Sequence, residues 1–285
     1  MKRDNFYKAK EKKQSLKDSK ESKPKEPEIF FHKIFSKIPT LLPYKEETLI
    51  DILLKKDKFT EHGKIDYERE YYILNNMFII MNHLNMNECP LSFFPIVYLS
   101  TKVSDMLMYL CRKEKINERR YQLIYFSSAT TAAKYETQCF IPYSFLEDIY
   151  ESLVTAEEIK VVERNINRIF DFDLNIIYPT DVLCLYQLAD KTNENKGLTQ
   201  FCRFLLIFLL FSKSFIEKER NLVVLTVYYY AKIMIEKKMV WSLDLQFLSG
   251  IEKKTIIQNL KELNKEIKEN NKIYNFLINH FFDII

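Results

Sequence analysis

A chain of 285 residues, 47% of them apolar and 29% charged, has material for one large domain or two of about 100 to 150 residues. Its only glycines, Gly63, Gly197 and Gly250, lie far apart, which excludes most phosphate-binding loops of the Rossmann, P-loop or kinase type and disfavours a sheet of tight hairpins, so an all-α fold is expected. The net charge of +4 belongs to residues 1–28, where ten Lys/Arg face six Asp/Glu; the remaining 33 against 33 argues against a domain built to grip nucleic acid.

Residues 1–28 are charged, poor in apolar side chains and end in "SKPKEPE", the composition of a disordered arm. No apolar h-region opens the chain, so no secretory leader is expected. Residues 29–63 form an N-terminal segment with one short amphipathic helix, "KEETLIDILLKK" at 45–56. There Leu49, Ile50, Leu53 and Leu54 recur at helical spacing, with acids early and lysines late.

Five helix candidates follow at 67–84, 92–110, 118–136, 143–153 and 155–172, the last opened by a capping-box pattern of Thr155 and Glu158. A second set of five spans 181–190, 198–215, 217–237, 243–250 and 253–269. In both sets the third helix ends its apolar run on an Ala-Lys pair, Ala133-Lys134 and Ala231-Lys232, which suggests an internal duplication. Pro179 is the natural joint, giving units at 64–178 and 179–285.

The third helix of the first set carries "SSATTAA", Ser127 to Ala133. Small residues allow backbones to approach on several sides, as a central helix requires; large ones would cost about 1 to 3 kcal/mol at a well-packed site. The apolar run Phe204–Phe211 has eight residues, whereas a membrane span needs about 20, so it reads as core.

No chemistry-bearing constellation stands out. The five cysteines, Cys89, Cys111, Cys139, Cys184 and Cys202, lack metal-ligand spacing and read as reduced thiols. His32, His62, His83 and His280 are isolated from them, so neither a zinc site nor a cofactor is expected. No spacing singles out an acid/base pair, and no catalytic residue is assigned.

Together, Gln122-Leu123, the small-residue run, Ala132-Ala133-Lys134-Tyr135-Glu136, "CFIP", and Glu163 followed by Phe170, Phe172 and Leu174 resemble the cyclin box of mitotic cyclins. Those are regulatory subunits of cyclin-dependent protein kinases. The segment "WSLDLQFLSGIEKKTIIQNLKELNK" is similar to the end of the second cyclin fold, so the likeness covers roughly residues 45 to 280. It implies two tandem five-helix cyclin folds and a heterodimer with a kinase in cell-cycle control of the G2/M type, in nucleus and cytoplasm. It also implies a kinase-facing surface of Lys134 and Glu163, with Tyr135, Glu136, Phe172 and Leu174 beside them. Leu49, Ile50 and Leu53 of the short N-terminal helix would pack on the same kinase.

The likeness is divergent. Where mitotic cyclins dock Arg-x-Leu motifs of substrates and inhibitors, this chain has "EYYILNNMF", keeping Ile73 and Leu74 but placing Met77 at the tryptophan position. No Arg-x-x-Leu destruction motif occurs in the N-terminal tail, and Lys268-Glu269-Asn270 reads as a chance triplet. Two alternatives share the fold: a transcription-type cyclin paired with a kinase of the RNA polymerase tail, and a non-kinase transcription initiation factor that grips promoter DNA.

Overall fold

The computed structural model describes residues 90–111, 116–137, 141–149, 154–192, 195–237 and 242–281, which form eleven helices and no strand among them. In chain order they are α1 (Pro90–Leu110), α2 (Glu118–Thr137), α3 (Tyr143–Ile149), α4 (Ala156–Ile169), α5 (Pro179–Ala189), α6 (Lys196–Leu210), α7 (Lys213–Ile216), α8 (Arg220–Glu236), α9 (Leu243–Ser249), α10 (Lys253–Glu269) and α11 (Asn271–Phe281). The expected helices at 45–56 and 67–84, with Leu49, Ile50, Leu53, Ile73, Leu74 and Met77, lie outside the described residues, as does Trp241.

A helix buried on all sides must leave no polar group unsatisfied. The small-residue run meets this condition at three of its four hydroxyls, Ser127 Oγ being buried without a hydrogen-bond partner; all seven side chains from Ser127 to Ala133 are buried in α2. Ser128, Thr130 and Thr131 donate to the carbonyls of Ile124, Phe126 and Ser127 at 2.8, 2.7 and 2.7 Å. These hydroxyls are spent on the helix's own backbone. α1 and α4 pack against α2, which is the central helix the composition predicted.

α8 holds the matching place in the second set, packed by α5, α6 and α10. It solves the same problem with bulk: Val224 to Tyr229 are all buried, and Tyr228 and Tyr229 are among the largest fully buried side chains. The apolar run of α6 is buried throughout, and among the described residues no helix is long and apolar enough to cross a membrane.

The expected capping box is present. The Thr155 side chain accepts from the Glu158 N–H, and Glu158 accepts from the Thr155 N–H at 3.0 Å. Thr155→Ala is therefore expected to lower stability by about 1 kcal/mol, read as a shift in the urea midpoint at constant slope.

The main differences from the sequence reading are two helix ends and one added helix. The helix expected at 198–215 breaks at Phe211 and Ser212, whose N–H groups turn to the carbonyls three residues back at 3.2 Å, tightening and ending α6. The helix expected to run to Phe172 stops at Ile169, because Asp171 and Phe172 take left-handed backbone with φ 49° and 58°. α11 adds a helix beyond the five expected. Its Tyr274 meets Phe204 and Phe208 of α6 edge-on, at ring separations of 5.2 and 5.5 Å.

Pro179 opens α5, where its missing N–H costs nothing, and Gly250 closes α9 at φ 66°, donating to the Gln246 carbonyl at 2.9 Å.

Candidate functional site

Glu163 lies on the inward face of α4, in line with buried Ile159 and Ile166. A carboxylate on an apolar face needs partners, and two arrive from different helices. Lys134, in the last turn of α2, suits the negative end of that helix. Tyr143 begins α3 directly after Pro142.

The three side chains close a triangle. Lys134 Nζ reaches both Glu163 oxygens, at 3.0 and 2.9 Å, and the Tyr143 hydroxyl at 2.7 Å. The hydroxyl in turn donates to Glu163 Oε2 at 2.6 Å. The ammonium also sits 4.5 Å from the centre of the Tyr143 ring, with Lys160 Nζ at 5.3 Å. Burial first, and then the bond to Glu163, push the Tyr143 phenol above its ordinary range, so it remains a donor at neutral pH.

A carboxylate has about four acceptor positions, and Lys134 and Tyr143 take three on Glu163. The arrangement holds no activated nucleophile. It joins the ends of α2 and α3 to the middle of α4 and leaves a carboxylate edge for one more N–H.

The other expected site residues divide into outward and inward groups. Tyr135 is exposed, and Phe172 is 75% exposed on its left-handed backbone, with its N–H held by the Asn167 carbonyl at 2.7 Å. With the Asp171 N–H on the Arg168 carbonyl at 3.2 Å, the pair forms a Schellman-type helix end that turns the Phe172 ring outward. Leu174, in contrast, is 2% exposed, so its side chain serves the core and positions the chain around Phe172. Glu136 is also turned inward, accepting from the Tyr178 hydroxyl. Burial is the largest cause of its raised pKa, with the Tyr178 bond opposing and Asp181 adding.

Tyr178 sits just before α5, and the neighbouring Ile177 carbonyl accepts from Arg220 Nη1 of α8 at 3.1 Å. The segment between α4 and α5 is thus tied to both central helices. Among the described residues no group of His, Cys, Asp and Glu could hold a metal ion.

The second Ala-Lys pair builds a related cluster by another route. Lys232 pairs with Asp190, the residue capping α5, and Tyr228 donates to the same carboxylate oxygen at 2.6 Å while meeting Thr192 at 2.8 Å. Lysine, tyrosine and carboxylate recur near the end of each central helix. The acid, however, follows the lysine in sequence in the first set and precedes it in the second.

Sequence reading found Lys134 and Glu163 through the motif but missed Tyr143, which is nine residues from one and twenty from the other with no recognisable spacing. Asp190 and Tyr228 escaped for the same reason.

No family model matches the chain. Among curated proteins it is similar to the G2/mitotic-specific cyclin CLB2 of Candida albicans, with 27% identity over 176 residues, 60% of this chain. Those residues are 33% of that protein, so the chain spans about a third of the length of the curated relative it matches.

Proposed function

We propose that this chain is a cyclin-type regulatory subunit that binds a cyclin-dependent protein kinase and stabilises its active conformation in G2/M control, in nucleus and cytoplasm. The observation that carries this reading is the Lys134–Glu163–Tyr143 triangle, a prepaid charged cluster with a carboxylate edge, on the helix that leads into exposed Phe172. The similarity to a mitotic cyclin supports it. So do the two central helices, which fit tandem cyclin folds at 64–178 and 179–285.

In this reading the chemistry belongs to the kinase. Activity there requires a strand lysine paired with a C-helix glutamate and an open activation loop. A regulatory subunit favours that state only by binding it more tightly than the inactive one. The Glu163 edge would take a backbone N–H near the mobile helix, Lys134 would hold the carboxylate in place, and Tyr135 and Phe172 would supply apolar contact. Glu136 and Leu174 would act from behind, fixing the segment that carries Phe172. Leu49, Ile50 and Leu53 would extend the same contact.

The test is co-purification with candidate cyclin-dependent kinases, followed by phosphorylation of a basic substrate by each complex. A stable complex with raised activity is expected. Failure to bind any of them, or binding only to a kinase of the RNA polymerase tail, would overturn the assignment.

A further inference from the structure

The even charge balance outside the tail does not describe α10. With 3.6 residues per turn, Lys254, Lys261, Lys265 and Lys268 fall within an arc of about 60°. All four are exposed, opposite the buried face of Ile256, Leu260 and Leu263.

Two of the three acids of the same helix are held by partners off the stripe. Glu262 is taken by Lys218 at 2.7 Å, and Glu266 is buried, held by Ser214 at 2.9 Å and Asn270 at 2.8 Å. Glu269 remains near the stripe, 3.7 Å from Lys265, with both side chains well exposed. Sequence-level neutrality thus hides a local excess: Glu266 is held inside and Glu262 is paired with Lys218, while four lysines share the outer face.

We propose that this stripe docks an extended acidic peptide segment of a partner protein, a role that stands independently of the kinase assignment. The sign and the length of the stripe favour this occupant. From Lys254 to Lys268 the helix rises about 21 Å, in uneven steps of about 10.5, 6 and 4.5 Å. An extended peptide covers that length in about seven residues. The flexible lysine stems can take up the uneven steps, so a run of acids over that length would face the four ammonium groups. Single-stranded nucleic acid wants aromatic platforms between its basic contacts, and the exposed residues between these lysines are Thr255, Gln258 and Asn264.

The experiment measures binding of a fluorescein-labelled peptide alternating Glu and Ser to the full chain at low salt, by anisotropy. A Gln-Ser peptide and a single-stranded oligonucleotide of similar length serve as competitors. The stripe variant combines Lys254→Gln, Lys261→Gln, Lys265→Gln and Lys268→Gln. A control of equal charge combines Lys191→Gln, Lys196→Gln, Lys237→Gln and Lys253→Gln, all exposed and off the stripe.

The acidic peptide is expected to bind the wild type and the control alike, to bind the stripe variant about tenfold or more weakly, and to weaken with salt. Equal loss in the control, absence of peptide binding, or preferential binding of the oligonucleotide would each overturn the proposal.

Discussion

Lys134→Ala is expected to lower the stability of the chain by about 2 to 4 kcal/mol, and Glu163→Ala by less. The asymmetry follows from exposure. The Glu163 side chain is 12% exposed and that of Lys134 is 29%. Without the lysine, a poorly hydrated carboxylate is left with one phenol. Without the glutamate, a long flexible stem can carry the ammonium to water.

Because the two act as one unit, the double variant should cost less than the sum of the single ones, with a coupling of about 1 kcal/mol or more. Urea unfolding followed by circular dichroism measures all three. Strict additivity would mean that the pair does not operate as drawn. In the kinase assay either single variant should lose most activation, the lysine variant partly through its effect on Glu163.

Lys232→Ala is expected to be more damaging still, about 3 to 5 kcal/mol, because it strands Asp190 in a site where both side chains are only 10% exposed. Combining Lys232→Met with Asp190→Asn should recover most of that loss. The methionine fills the stem's volume, and the asparagine carbonyl continues to accept from Tyr228. The folded double variant should still activate the kinase, since this cluster lies in the second set and binds no partner in the proposed arrangement. Equal instability of the single and double variants would show that packing around α8, rather than an uncompensated charge, sets the cost.

The contrast between these two clusters explains what could be read from the sequence. The central position of α2 was legible in Ser127 to Ala133, because such a composition fits few places other than a helix buried on all sides. The start of α4 was legible in Thr155 and Glu158, because a capping box is a local, four-residue device. Lys134 and Glu163 were legible only through a resemblance.

What was not legible depends on groups brought together from afar. Tyr143 completes the triangle from the opening of another helix. Asp190 reaches Lys232 across 42 residues, so the repeated Ala-Lys pair suggested a likeness between the halves that holds in chemistry but not in connectivity. The left-handed turn at Asp171 and Phe172 carries no glycine or asparagine to announce it, and the excess of lysines on the outer face of α10 vanishes in a net charge.

Phe172 gives the cleanest access to the kinase assignment, because its 75% exposure leaves little of its side chain in the chain's own core. The measurement is the affinity of the cyclin-dependent kinase for wild type and for Phe172→Ala, with thermal unfolding of both proteins recorded alongside. Binding should weaken by about thirtyfold, the loss expected of an aromatic anchor at an interface centre, while the unfolding temperature stays nearly constant. Unchanged affinity in the equally stable variant would contradict the proposal that the kinase is gripped at the end of α4.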